Sequence, residues 1–550
     1  MTTRRSRWIT LVVPVMCLLL RAGASPAQAP FSKGSDQHAE AADNSNFIFA
    51  ALHSNMKAWP SVYAPNGRAM VPATIKAGTL LYHSGGNPTG MDRFAFDAEH
   101  SYGHGAGGSQ ATSQNGRSNM LYTYVATRPL RAIYFDGFSA EKKSDGTLDM
   151  QGVLQYGIQG FVREEATFEL LWCDFEDGVQ MLSVTNITIP ANPDSEDAPL
   201  DTHGDAFDDE PPRGDGPPGG PSGPGGPGCR GTPTPYITQS SWSWYLATAV
   251  HHTTPDGRVV LHPVYTVTLY DPKYASLAAN TQRPRRQHRL GDLSLADKAE
   301  FRAELYGAMT AWIGDLRGEG SGVDWASIAH TLIDHSSAHF TELHALLTNV
   351  TTASNATDAV ATVRLTAFAL IMPHVDHAAA RSAVLEDVSV QCGLAFTGHI
   401  DARVYRLTPQ EQRLKGAAEG VSRRICAFAA GTFDESLNLL ESLAGDADAA
   451  GARAQALHAL ERWRGGVEEL MEWLGWAMWK RCPELCAWDV CYDRMRWARQ
   501  VVLERGGAPP PAEDEQELKP RCAKRSEFSG SLLFSSLHLE AGGTTSWEIV

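Results

Sequence analysis

The stretch from residue 191 to 235 sets the strongest limit on how this 550-residue chain can fold. Its centre reads DDEPPRGDGPPGGPSGPGGPGCRGTPTP, where glycine and proline dominate and large apolar side chains are almost absent. Such a segment has too little apolar surface to offset the entropy of ordering its backbone. It lacks a strict Gly-x-y period, which excludes a collagen-like triple helix. A disordered linker or insertion is therefore expected, and any core must form from what lies on either side. Cys229 offers a tether from this segment to a folded part or to another chain.

On the N-terminal side, residues 44–190 read as an α+β domain. Phe47–His53 open it as a short amphipathic helix. Short apolar runs with β character follow at Thr79–His83, Leu121–Val125, Leu130–Phe135, Phe168–Trp172 and Gln180–Ile187. Turn formers such as Gly85-Gly86-Asn87-Pro88 and Asp136-Gly137 separate them, and Gln151–Tyr156 suits a helix. On the C-terminal side, residues 236–292 are β-rich, with strands expected at Ser241–Tyr245 and Val259–Tyr270. They either complete the first sheet across the insertion or open the second domain. From residue 293 to 505 the apolar period becomes helical: Phe301, Leu305, Met309, Trp312 and Ile313 recur at three and four. Further helices are expected over Val323–Leu347, Asp358–Met372, Leu437–Leu443 and Ala454–Trp479. Residues 506–550 read as a mostly disordered tail. The fold class is α+β: an N-terminal mixed domain with a small sheet, the Pro/Gly-rich disordered insertion, and a mainly α C-terminal domain.

The N-terminus supplies an address. Arg4, Arg5 and Arg7 precede an apolar run from Trp8 to Leu20, and Ala22-Gly23-Ala24 follows, which is the pattern of a signal peptide over residues 1–24. The run is shorter than the ~20 residues a membrane helix needs, so no stable membrane insertion is expected. With Cys17 removed, eight cysteines remain, an even number suited to disulfides in an oxidising compartment. Asn186, Asn349 and Asn355 begin glycosylation sequons. The expected location is extracellular. The formal charge of −16 falls to roughly −20 once the four signal-peptide arginines are gone, a surface that repels phosphate backbones and excludes nucleic acid as a first choice of partner.

Candidate chemistry gathers between residues 78 and 175. His83, Tyr102 and Glu169, with Glu165 as the alternative carboxylate, sit at or near the ends of short strands, where sites collect. Asp97, Glu99, His100 and His104 form an acidic and histidine patch suited to a divalent metal or to general acid/base work. No His-Glu-x-x-His or Gly-x-Ser-x-Gly motif accompanies them. In the helical half, His335 and His339 stand four apart, flanked by His330 and His344, and read as solvated histidines. Cys482, Cys486 and Cys491 have a spacing and surroundings unlike a zinc site and read as half-cystines. Trp473, Trp476 and Trp479 read as core beneath them, or as an aromatic anchor for a protein partner.

Two resemblances follow from quoted segments. HSNMKAWPSVYAPNG, VPATIKAGTLLYH, AFDAEHSYG, RPLRAIYFDGFSA, GTLD and FELLWCDF resemble an uncharacterised group of secreted proteins from filamentous fungi. That resemblance implies secretion and a fungal source, and no reaction. Leu81-Tyr82-His83 is similar to the early strand motif of the ADP-ribosyltransferase fold. On that resemblance His83 would hold the nicotinamide-side ribose of NAD, Tyr102 would stack on nicotinamide, and Glu169 would stabilise the charge that develops on the ribose. Ser84 stands where that family has glycine, and Thr167 replaces the second glutamate. The expectation is a secreted fungal protein with a binding or effector-like role. An NAD-dependent ADP-ribosyltransferase-like enzyme or NAD glycohydrolase is one alternative, and a metal-assisted hydrolase another.

Overall fold

A computed structural model describes residues 43–57, 67–85, 91–107, 120–136, 150, 153, 170–174, 178–187, 242–243, 246, 254–283, 285, 288, 290–315, 318–350, 356–376, 381–401, 406–444, 449–480, 482, 486, 490–492 and 521–523. The expected signal peptide and the Pro/Gly-rich segment lie outside them.

Two antiparallel sheets occupy the N-terminal half. The first is centred on β1 (Ala69–Ile75), which pairs with β5 (Leu130–Phe135) on one side. On its other side it pairs with β8 (Val259–Leu261) and β9 (Val267–Thr268). Strands from beyond the insertion thus hydrogen-bond directly to β1. The second sheet has the order β6-β3-β2-β4-β7. Its strands are β2 (Leu80–Gly85), β3 (Met91–Ala95), β4 (Met120–Ala126), β6 (Leu170–Asp174) and β7 (Val179–Asn186). Helix α2 (Ala98–Gly107) packs on β2, β3 and β4. Ile75 and Leu130 of the first sheet meet Leu81, Phe94, Tyr122 and Tyr124 of the second in a small apolar core.

The C-terminal half is helical: α3 (Leu295–Gly314), α4 (Trp325–Asn349), α5 (Ala356–Ile371), α6 (Arg381–Gly393), the single turn α7 (Gly398–Asp401), α8 (Pro409–Ala444) and α9 (Ala449–Leu474). The sequence dictates these helices in the ordinary way. In α4, Trp325, Ala329, Leu332, Ile333, Ser336, Phe340, Leu343 and Leu347 recur at three and four and are the buried residues. Asp324 caps the helix by accepting from the Ser327 N–H at 3.0 Å. Each large apolar side chain so buried contributes ~1.5–3 kcal/mol. Helix α5, with the turn after it, is long and apolar enough to cross a membrane. Here Val360, Val363, Ala367, Leu370 and Ile371 of that helix lie in the protein core, packed against α8 and α4.

Several expectations change. Helix α1 (Ser45–Ser54), read as opening the α+β segment, packs instead on α8, α4 and α9. Its Phe47, Ile48, Phe49 and Leu52 belong to the helical core, because nearly every residue of this helix is apolar and buried. Leu437–Leu443 is not a separate helix but the last part of α8. Trp242 and Ser243, expected in a strand, are helical, and Trp242 is buried. In the stretch read as a tail, β11 (Arg521–Ala523) pairs with β10 (Val490–Tyr492). The described residues all fall within one unit.

Two disulfides lie among the described residues. Cys392 on α6 bonds Cys426 on α8, both buried, and Cys486 bonds Cys522.

Candidate functional site

His83 sits on β2 directly opposite Tyr122 of β4, their ring centroids 6.1 Å apart. Strand alternation places it on the face of Leu81 and the small apolar core. Tyr82 points the other way, and its phenol is pushed up by burial and by the nearby Glu99 and Asp97 carboxylates. Helix α2, which carries the half-buried Tyr102, begins beside that tyrosine. Glu169 and Glu165 lie outside the described residues.

The acidic and histidine patch is partly committed to other partners. Arg258, just before β8, bonds the Asp97 carboxylate at 3.0 Å, Asp256 at 2.6 Å and the Phe96 carbonyl at 2.6 Å. Its guanidinium also lies 5.1 Å above the Phe96 ring. Asp97 is thus an anchor for Arg258, which ties the turn before α2 to the first sheet. His100 is buried, and the His104 side chain lies outside the described residues.

The tryptophans turn inward. Trp476 is buried and stacks on Trp479 at 5.2 Å, Trp479 lies edge-on to Phe340 at 6.4 Å, and Arg424 covers the Trp473 ring at 4.4 Å. They close the base of the helical core. The sulfurs of Cys482, Cys486 and Cys522 lie within 4.8 Å of one another, near enough to share a metal ion. All three are disulfide-bonded, and a cystine sulfur is not the thiolate that zinc requires.

Two constellations, the first half-buried and the second buried, escaped the sequence reading. His262, just after β8, has Nδ1 3.1 Å from the Gly318 carbonyl and Nε2 2.9 Å from the Thr74 hydroxyl. A carbonyl only accepts, so Nδ1 carries the proton and Nε2 accepts from Thr74. Burial holds this imidazole neutral. A hydroxyl on a neutral, oriented imidazole is the arrangement that activates nucleophiles; here it also fastens the Gly318–Gly322 loop to β1. In that loop Gly320 N–H and the Tyr265 hydroxyl both donate to the Asp315 carboxylate, at 2.9 and 2.8 Å, which fills the anion position such a loop offers. His262-Pro263, which interrupts the apolar run Val259–Tyr270, is the sequence signal that could have found the site.

The second constellation joins α1, the segment after β9 and the end of α9. Tyr270 donates to His288 Nδ1 at 2.9 Å, and His288 Nε2 donates to the Arg283 carbonyl at 2.8 Å. Burial lowers the His288 imidazole to about 4 and raises the Tyr270 phenol to about 12. Arg68 lies over the Tyr270 ring at 4.8 Å and Arg285 over Phe47 at 4.9 Å. Arg285 donates to the Trp473 and Leu474 carbonyls at 3.3 and 3.0 Å, where the negative end of the α9 dipole receives it. Burial still lowers its guanidinium to about 10.

A family model described as the YPL277C N-terminal domain matches residues 38–118, a stretch that runs from α1 through α2. Two proteins of Saccharomyces cerevisiae (strain ATCC 204508 / S288c) are similar to the chain. "Uncharacterized protein YOR389W" is 26% identical over 30% of this chain and 39% of its own length. "Uncharacterized protein YPL277C" is 27% identical over 27% of this chain and 44% of its own length. The chain therefore spans less than half the length of these curated relatives. No solved structure matches it. The chain is homologous to uncharacterised fungal proteins; the sequence segments led one to expect filamentous fungi, and the relatives named here are from a yeast. Nothing in the names of these matches points to an ADP-ribosyltransferase or to secretion.

Proposed function

We propose that this is a secreted binding protein that associates through the open end of its five-stranded sheet, where its partner is a second copy of the chain. Strand β7 carries the reading. It ends that sheet among the described residues, and its Met181, Leu182 and Val184 are 51, 55 and 46% exposed. Its sequence, VQMLSVTN, contains no charge and no proline, two of the devices that ordinarily blunt a sheet edge, and its one irregularity is the register shift that leaves Leu182 unpaired against β4. On a mature chain of formal charge roughly −20, which is the −16 of the full sequence less four signal-peptide arginines, two copies repel least where neither carries charge. Antiparallel pairing of β7 with its twofold mate would satisfy the outer backbone groups, cover the three apolar side chains and give the isologous contact of a closed dimer.

The disulfides support the address. Bonds such as Cys392–Cys426 persist in oxidising compartments, and the N-terminal pattern supplies a route there. The test is to express the full chain in a fungal host, collect it from the medium and remove Asn-linked glycans, since Asn186 ends β7 within a sequon. Light scattering should then give a dimer mass, mass spectrometry a chain starting after Ala24, and the double variant Met181→Lys/Leu182→Lys a monomer of unchanged melting temperature. A wild-type monomer at ~100 μM, a concentration at which edge pairing of useful affinity would show, overturns the pairing. Retention in the cell with residues 1–24 attached overturns secretion.

A further inference from the structure

The two faces of β1 meet different surroundings near its end. Ala73 and Ile75 point to one side and are buried. Thr74 points to the other and is half-buried. Antiparallel pairing sets Arg131 of β5 opposite Thr74 on one flank and Val260 of β8 opposite it on the other. Directly opposed residues share a face, and Arg131 and Val260 are both exposed there. Among the described residues Arg131 forms no ion pair or side-chain hydrogen bond. The chain then turns at the half-buried His262, whose N–H donates to the Pro72 carbonyl at 2.8 Å. Its imidazole Nε2 lies 2.9 Å from the Thr74 hydroxyl. Two groups fix that ring from behind. The Trp312 ring packs 5.3 Å from it. Gly318 brings its carbonyl to Nδ1, and a Cβ on that glycine would stand 2.7 Å from Nδ1, so a larger residue would have to displace the imidazole.

We propose that Thr74 is a nucleophile for acyl transfer from esters of short carboxylic acids, with His262 as its general base and Arg131 as the cation that receives the oxyanion. Thr74 Oγ1 bonds to the ester carbonyl carbon while His262 Nε2 takes the hydroxyl proton. Negative charge gathers on the carbonyl oxygen, beside a guanidinium that no carboxylate of the described residues neutralises. The bond to the leaving alcohol then breaks, and the alcohol departs with the bonding electron pair and the proton from Nε2. Water opens the acyl-threonine by the same route: Nε2 takes a proton from the water, its oxygen bonds to the carbonyl carbon, and Thr74 Oγ1 leaves with the proton as the acid is released. The Gly318 carbonyl holds the tautomer throughout, the part that a carboxylate plays in a Ser-His-Asp triad. Val260 supplies apolar surface for the acyl chain, and a single valine suits a short one.

The test treats the full oxidised chain with p-nitrophenyl acetate at neutral pH and locates the acetyl group by tandem mass spectrometry. The wild type should carry it on Thr74 and release p-nitrophenolate in step with labelling. His262→Gln should slow acetylation of Thr74 by about a hundredfold, and Arg131→Met by at least about tenfold. Thr74→Val, which keeps the shape and loses the hydroxyl, should take no label at that position, whereas Thr74→Ser should still take it. Arg131 is exposed, so its variant tests the site even where His262→Gln loosens the Gly318–Gly322 loop. Absence of acetyl-Thr74 in the wild type, or labelling of Thr74 as fast in Arg131→Met as in the wild type, overturns the proposal.

Discussion

His288 and His53 are imidazoles held neutral by the fold. Burial lowers His288 to about 4, and burial with the neighbouring Lys57 and His330 charges lowers His53 to about 3. The unfolded chain takes up these protons near the ordinary value of ~6.5. The stabilisation from each is therefore complete above that pH and is lost as pH falls toward the folded value. For His288 it amounts to about 3 kcal/mol. Urea unfolding at pH 7, 5.5 and 4 should show stability falling through this window, and His288→Gln should flatten the fall while lowering stability at pH 7. Glu411 is the second telling residue. With Thr408 it forms a reciprocal cap at the start of α8: its carboxylate accepts from Thr408 N–H at 2.7 Å, and the Thr408 hydroxyl accepts from Glu411 N–H at 3.1 Å. The same carboxylate accepts from the Trp325 indole at 3.1 Å and from Ser321. Glu411→Ala leaves these donors buried and should cost about 2–4 kcal/mol in denaturant unfolding, with Glu411→Gln losing less. The cap is legible in Thr-Pro-Gln-Glu, but its tie to Trp325 is not, because 86 residues of chain separate the two. Local spacing reveals local hydrogen bonds and hides those made by folding.

At the scale of elements, most helices and most strands were legible. The apolar periods of α3, α4, α5 and α9 are long and regular, and β2, β4, β5, β6 and β7 stand between turn formers. Strand β1 escaped because Pro72 interrupts it; the strand tolerates a residue without an N–H because the Pro72 carbonyl still accepts from His262 N–H at 2.8 Å. The full length of α8 escaped because glycines punctuate it. Gly420 is there for contact: a Cβ at that position would stand 2.6 Å from Ser45 Cβ, where α1 crosses the helix. Gly466 of α9 plays the same part against Phe428 of α8, at 2.9 Å. Gly420→Ala should therefore destabilise the protein in thermal melts, although alanine is the better helix former by ~1 kcal/mol. A melting temperature raised by that change would show that α1 does not cross α8 so closely. The Cys392–Cys426 bond closes a loop of sequence separation 34 between α6 and α8. Loop entropy assigns it about 4 kcal/mol, so a Cys392→Ala/Cys426→Ala variant should melt well below the oxidised wild type and close to the reduced protein.

At the scale of the whole molecule, the parts that share a core lie far apart in the chain. Sheet strands at 69–75, 130–135 and 259–268 assemble around β1, and α1 completes a helical core built from residues beyond 295. Periodicity shows that each element exists but carries no information about which distant element it meets, so the position of α1 could not be read from sequence. The family match over 38–118 covers elements from both sheets and from the helical core. Expressed alone, residues 38–118 should remain unfolded, with poorly dispersed NMR spectra, whereas adding the rest of the chain should restore order. The burial of α1 also has a consequence in time. Synthesis proceeds at about 5–20 residues per second, so the interval between Ser54 and Ala444, the end of the helix on which α1 packs, lasts roughly 20 to 80 seconds. During that wait Phe47, Ile48, Phe49 and Leu52 lack the native partner on α8, and the first of the described helices to be made is among the last to find its place.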